Sequence, residues 1–132
     1  MGKKILIDTS VLIKIIRGDA AYIEEVEKGI GKVSAVISVI TFAEIVQGMR
    51  KGEKRKTMQL LNSLNIQHID QTTSEKFYQI IRGLPLRVMI ADRLIAATAL
   101  MNNYEIFTLN KKDFDDVKGI KFYKPKFVSL KR

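Results

Sequence analysis

The chain has 132 residues, 46% hydrophobic and 28% charged, an ordinary balance for one globular domain with a real core. It has no cysteine, which excludes a disulfide framework and a thiolate metal site. Lys and Arg number 23 against 14 acids, for a net charge of +9; this favours an acidic partner, most simply nucleic acid, although many small basic proteins bind none.

Lys3–Ile7 is a short apolar run bounded by Asp8, the pattern of a buried parallel strand. The apolar stretch continues past Asp8 but is broken by Lys14 and Arg17, so it fits neither a secretion signal nor a membrane span, and a cytoplasmic protein is the default. A helix follows from Thr9 or Ser10 to Arg17, stopped at Gly18, and a second covers Ala20–Lys28, ended by Gly29 and Gly31. Val33–Val39 is rich in β-branched residues and reads as a strand; Thr41–Lys51 and Lys54–Leu64 read as helices parted near Gly52. Ile66–Ile69 is a candidate short strand, and Ser74–Arg82 a helix stopped by Gly83 and Pro85. Ala91–Asn102 is a strong helix, Glu105–Leu109 a strand, and a helical turn near Asp113 leads to a last strand around Lys121–Tyr123. Strands alternating with helices predict an α/β fold with a mostly parallel sheet covered on both faces. Neither a linker nor a repeat interrupts it, so residues 1–132 read as a single domain with a basic tail at about 124–132.

Against this frame four acids stand out: Asp8, Glu44, Asp92 and Asp113. The first three interrupt apolar sequence, ILIDTSVLI, VITFAEIV and VMIADRLIAATAL. A carboxylate among apolar groups is costly unless paired, hydrogen-bonded or bound to a metal. Other acids, such as Glu24, Glu25 and Glu27, read as solvated. Ligands of a parallel sheet bind outside the carboxyl ends of its strands. Asp8 follows the first strand, Glu44 lies one turn beyond the second, Asp113 follows Glu105–Leu109, and Asp92 opens a helix packed on the same sheet, so all four can reach one end of the fold. Hard oxygen ligands gathered in a basic protein point to one or two Mg²⁺ or Mn²⁺ ions acting on a polyanion, hence to a metal-dependent nuclease.

Each acid also has a structural explanation. Thr41-x-x-Glu44 has the form of a capping box, Asn110-x-x-Asp113 resembles one, and Asp8 and Asp92 lie at helix starts, where the macrodipole favours negative charge. Thr72-x-x-Glu75 serves as a control: its neighbours Ser74 and Lys76 are those of an exposed cap, whereas Glu44 lies between Ala43 and Ile45. Asp92 shares a helical face with Ile95, Ala96 and Ala99, which predicts a buried face. Capping alone leaves unexplained why three acids sit in apolar sequence.

LIDTSVLI (6–13), TFAEIVQG (41–48), DRLIAATAL (92–100) and TLNKKDF (108–114) resemble, in order and spacing, the motifs of PIN-domain ribonucleases, most closely the VapC-type toxins of toxin–antitoxin modules. The resemblance runs from Lys4 to about Pro125, with the IAATAL run its most distinctive part. It implies a PIN-like α/β/α sandwich, Mg²⁺- or Mn²⁺-dependent cleavage of RNA, a cognate antitoxin and a homodimer. By match of motif, Asp8, Glu44, Asp92 and Asp113 are the acidic quartet, with Thr9, Ser10, Thr108 and Asn110 as supporting polar groups. Asp115 and Asp116 lie close to the fourth position; Asp113 is preferred because Asn110-x-x-Asp113-Phe114 fits the motif and Phe114 can anchor the turn in the core. The family often has a small or apolar residue after the third acid; here it is Arg93, which points about 100° away on a helix and is assigned to substrate phosphate. A housekeeping nuclease of RNA processing and a catalytically silent RNA- or protein-binding PIN domain are the alternatives.

Two basic clusters are candidates for an RNA track: residues 50–56, including Arg50 and Lys51, and residues 111–132 with eight Lys or Arg against three Asp. Their bland reading is a solvated face and a frayed C-terminus. The single histidine, His68, reads as structural or surface. Tyr22, Phe77, Tyr78, Tyr104 and Phe107 read as core. An amphipathic antitoxin helix is expected in an apolar groove, with Met58, Leu61, Phe77 and Ile81 as candidate lining or core.

Overall fold

The computed structural model describes residues 3–83 and 89–128. Five strands form one sheet: β1 (Ile5–Ile7), β2 (Ala35–Ser38), β3 (Asn65–Gln67), β4 (Glu105–Phe107) and β5 (Lys121–Phe122). Their order is β3-β2-β1-β4-β5, and every pairing is parallel. The helices are α1 (Thr9–Ile16), α2 (Ala20–Glu24), α3 (Val39–Gln47), α4 (Lys54–Ser63), α5 (Gln71–Gly83) and α6 (Ile90–Asn102), with a π-helical turn at Glu25–Ile30 and a 3₁₀ turn at Lys111–Asp113.

The three-layer sandwich follows from the period-two alternation of the central strands. Ile5, Ile7, Ala35, Ile37 and Phe107 face one core with Leu12, Tyr22, Ile45 and Leu61 from α1 to α4. Leu6, Val36 and Ile106 face the other, against Ile80 of α5, the Ile95–Ala97 stretch and Ala99 of α6, and Phe114. Because both faces are covered, β1 reads as three consecutive buried residues. The small side chains of the IAATAL run let α6 lie close against α5, and Asn103 ends it in the left-handed region at φ 57°.

The caps differ from those expected. Ser38 caps α3, its Oγ accepting from the Thr41 N–H at 3.0 Å, so Thr41 is inside the helix and Thr41-x-x-Glu44 is not a capping box. Asp70 serves α5, accepting from the Thr73 N–H at 2.9 Å and the Thr72 hydroxyl at 3.0 Å, which displaces Thr72-x-x-Glu75. Asp and Ser outrank a Thr that can be absorbed into the first turn. Asn110 makes no side-chain cap for the 3₁₀ turn. Val33 is 82% exposed and outside β2, and Tyr78 is 51% exposed instead of core. Pro85 lies outside the described residues.

Glu25 departs most from expectation. It is fully buried, and the helix expected through Lys28 widens there into the π turn. Its Oε2 accepts from the Tyr123 hydroxyl at 2.6 Å, and its Oε1 from the backbone N–H groups of Lys126, Phe127 and Val128. Residues 126–128 are therefore tied to the domain and do not fray. No helix among the described residues is long and apolar enough to cross a membrane.

Candidate active site

The sheet order makes β1 a topological switch point. The chain leaves β1 for β2 on one side, then crosses to β4 on the other, and a crevice opens beyond their carboxyl ends. Asp8 and Thr108 are the first residues past β1 and β4, and the Asp8 N–H donates to the Phe107 carbonyl at 2.9 Å. Asp8 is 4% exposed and Thr108 1%.

Asp8 occupies the N-cap position of α1, yet its side chain makes no capping bond. The Ser10 and Thr108 hydroxyls both donate to its Oδ2, each at 2.8 Å. The loop after β4 continues the network: the Leu109 N–H donates to Ser10 Oγ at 3.1 Å and the Asn110 N–H to Thr108 Oγ1 at 3.0 Å. Asp8 thus lies at the helix start, where the macrodipole favours its charge, but its carboxylate bonds to the two hydroxyls and to no N–H of the first turn. Ser10 and Thr108 support it by side chain; Asn110 contributes its backbone.

Glu44 sits mid-way along α3 and is exposed, although its sequence neighbours are apolar. The neighbouring Ala43 is also exposed, so this side of α3 lies at the crevice rim. The Thr9 hydroxyl donates to Glu44 Oε1 at 2.7 Å and lies 3.2 Å from Thr41 Oγ1, tying α1 to α3.

Asp92 lies in the first turn of α6, partly buried, and its neighbours Ile95, Ala96 and Ala99 form the buried face expected. Burial pushes its carboxyl up to about 6, and the negative charges of Asp8, Asp113 and Glu44 add to the rise while Arg93 opposes it. The four acids thus share one electrostatic neighbourhood. Of the three acids after β4, Asp113 is the one whose charge acts on Asp92; Asp115 is exposed, and Asp116 pairs with Arg93. Among the described residues no three acids stand close enough to form a ready-made metal cage. Phe114 is fully buried, as the motif required.

Arg93, expected at substrate phosphate, has a partner within the protein. Its residue is 2% exposed, and its Nη1 and Nη2 donate to the two carboxylate oxygens of Asp116 at 2.7 and 3.1 Å. It does turn away from Asp92, but towards the loop beyond β4, because a buried guanidinium needs a carboxylate more than a solvent-facing phosphate. Arg50 and Lys51 are exposed.

An apolar cavity of about 740 Å³ opens beside the site. Leu12, Ile15 and Ile16 of α1, Ile23, Val26, and Leu60 and Leu64 at the end of α4 line it, with four bases, Arg17, Lys32, Arg50 and Lys56, and two acids, Glu27 and Glu53, at the same walls. A smaller cavity shares Ile16, Arg17, Arg50, Glu53 and Thr57 with it and reaches Thr9 and Glu44. This cavity is walled by the 54–64 helix and not by the 74–82 helix. Phe77 packs on the opposite face of the sheet, Leu61 is wholly core, and Met58 packs against that core.

A family model described as the PIN domain matches residues 5–120. The sequence is 35% identical over 126 residues to Ribonuclease VapC1 of Methanocaldococcus jannaschii, covering 91% of this chain and 87% of that one. It is 32% identical over 109 residues to Ribonuclease VapC10 of Mycobacterium tuberculosis, covering 80% and 82% respectively. The fold is similar to a solved chain of a toxin–antitoxin complex from Klebsiella pneumoniae, with TM-score 0.75 and 27% identity, covering 95% of this chain and 100% of that chain.

Proposed function

From the premise that the chain belongs to the PIN-domain family, with VapC-type relatives, we propose that it is an endoribonuclease that hydrolyses RNA phosphodiester bonds with Mg²⁺ or Mn²⁺, as the toxin of a toxin–antitoxin pair. The whole chain, 1–132, acts as one PIN domain. The observation that carries the reading is Asp8: a buried helix-start carboxylate that caps no backbone N–H of α1 and is held by the Ser10 and Thr108 hydroxyls at the switch point, as a group oriented for a ligand would be.

The acids fit a divalent ion chemically. They are hard oxygen donors, and the crowding that raises Asp92 is charge that a cation relieves. Mg²⁺ commonly keeps several waters and uses one or two carboxylates, so a pre-closed cage of three acids is not required. Asp8, Glu44, Asp92 and Asp113 would hold the ion or ions, which supply Lewis-acid activation of water and neutralise charge at phosphorus. Ser10 and Thr108 fix the Asp8 rotamer, and Thr9 fixes Glu44. Arg50, which lines the small cavity with Glu44, and the exposed Lys51 beside it in sequence attract the RNA backbone.

The apolar cavity is the seat for the antitoxin: an amphipathic helix can bury its apolar face on α1 and α4 while acidic residues meet Arg17, Lys32 and Lys56. An occupant that continues along the smaller cavity reaches Glu44 and blocks the site. A homodimer would use α5 and α6, which pack together and leave Tyr78, Ile90 and Met101 exposed.

The test is cleavage of total cellular RNA with Mg²⁺, Mn²⁺ or EDTA, wild type against Asp8→Asn, with fragment ends mapped. Cuts at defined sites that need metal and Asp8 support the reading. Equal cleavage by the two proteins removes Asp8 from the site and refutes it. Toxin status is tested by looking for a short gene beside its own and co-expressing the product, which must suppress the cleavage; absence of such a gene favours the housekeeping reading.

A further inference from the structure

We infer that the Arg93–Asp116 ion pair is a clasp that sets the loop carrying Asp113 against the helix carrying Asp92, making Arg93 a positioning residue instead of a phosphate contact. This deepens the reading of the four acids as one metal site and rests on it.

The connectivity is short. Arg93 directly follows Asp92 on α6, and Asp116 lies three residues beyond Asp113. The path from the third acid to the fourth therefore runs through two parallel N–H···O bonds of 2.7 and 3.1 Å. A fork-to-fork pair fixes orientation as well as distance, which a lysine at this position would not. Phe114 and Val117, 0% and 5% exposed, anchor the same loop in the α5–α6 core. Apolar anchors set depth but tolerate rotation; the ion pair removes that freedom.

Energetics point the same way. The Arg93 side chain is 3% exposed and that of Asp116 38%. Half-buried ion pairs of this kind stabilise little, because desolvation offsets the Coulomb attraction. An apolar residue after Asp92 would fill the same buried position without the cost of desolvating a charge. What the arginine adds is geometry, and neutralisation of an acid that would otherwise add to the negative charge around Asp92.

The test uses the full chain, wild type against Arg93→Met and Asp116→Asn. Hydrogen exchange in the absence of metal is read at the Asp113, Phe114, Asp115 and Val117 amides, which bond locally to Asn110, Lys111 and Phe114 carbonyls. Both variants should exchange there about tenfold faster or more, with β1 unchanged. Mn²⁺ affinity, followed by the electron paramagnetic resonance of the free ion, should weaken about 10- to 100-fold, as for other groups that orient metal ligands. In RNA cleavage kcat should fall with KM unchanged. If Arg93→Met does not fold, Asp116→Asn, altered on the more exposed partner, decides. Unchanged exchange in 111–117 overturns the clasp. A raised KM for Arg93→Met with a normal Asp116→Asn overturns it in favour of phosphate binding. Lowered melting temperature with normal Mn²⁺ affinity overturns it in favour of a structural pair. Should wild type neither bind Mn²⁺ nor cleave RNA, the ribonuclease reading fails, and the exchange data alone decide the clasp.

Discussion

The Thr108 hydroxyl donates to Oδ2 of Asp8 at 2.8 Å across 100 residues of sequence. The bond joins the ends of the two strands that flank the crevice, and it uses the carboxylate oxygen that Ser10 also holds. Asp8 is thus oriented from both sides before any ligand arrives.

RNA cleavage is therefore expected to vanish in Asp8→Asn and to fall about 10- to 100-fold in Thr108→Val, whose fold should persist because valine nearly matches threonine in shape. Single-turnover cleavage with saturating Mn²⁺ measures both. Wild-type rates in Thr108→Val would mean that Ser10 alone orients the carboxylate.

Asp92 gives the metal-free protein a pH dependence of definite sign. Burial and the charges of Asp8, Asp113 and Glu44 raise its carboxyl to about 6 in the folded state, against about 3.9 in an unfolded chain. Its stabilising contribution is complete below about pH 4 and is lost as pH rises through about 6. In EDTA at pH 7.5, Asp92→Asn should melt higher than wild type, by about 1 kcal/mol once solvent screening of this partly exposed group is allowed for. The advantage should shrink towards pH 5. Mn²⁺ should reverse the order, stabilising wild type by about 2.7 kcal/mol at a hundredfold excess over Kd. Parallel melting curves for the two proteins from pH 5 to 7.5 would separate Asp92 from the other acids.

The alternation of strand and helix, the parallel sheet and its two cores were legible because β1 is a pure apolar run, β2 and β4 are apolar but for Ser38 and Glu105 at their ends, and each long helix keeps its period. The acids were legible as intrusions into those runs. What could not be read was where a charge goes when its partner is distant. Arg93 meets Asp116 twenty-three positions later, and Glu25 meets Tyr123 ninety-eight positions later; both looked like surface residues because local pattern carries no information on such pairs. Caps were misassigned for the opposite reason. Ser38 and Asp70 lie inside or beside residues that also read as strand or loop, so the next plausible Thr drew the assignment.

The apolar cavity predicts a separation of binding from catalysis. Ile23→Asp and Leu60→Asp place charge on its wall and should weaken the antitoxin about a hundredfold or more, on the scale of losing a central interface contact. Cleavage by the isolated protein should be unchanged, since neither residue touches the acids. Titration calorimetry with the neighbouring small protein and RNA cleavage without it read the two effects. Undiminished binding would move the antitoxin to another face.

Glu25 gives the last prediction, one of stability alone. Burial raises the carboxyl, but the hydrogen bonds from Lys126, Tyr123, Phe127 and Val128 outweigh it and hold the group below the usual glutamate range. The stability it contributes is thus present above the unfolded value of about 4.3 and is lost as pH falls through the lower folded value. Glu25→Gln keeps the shape but not the charge, and turns an amide on the Tyr123 hydroxyl; it should cost about 2–3 kcal/mol, the scale of hydrogen bonds to a buried charge. Gly29→Ala should act on the same clasp, because a Cβ there would stand 2.3 Å from Glu25 Oε2 and 3.0 Å from the Tyr123 hydroxyl. Both variants should release residues 126–128, read as faster exchange of those amides and cleavage by trypsin after Lys126. RNA cleavage below the melting temperature should stay normal, since the acids lie on other elements. Denaturant midpoints equal to wild type in both variants, with slow exchange at 126–128, would show that the buried carboxylate holds nothing in place.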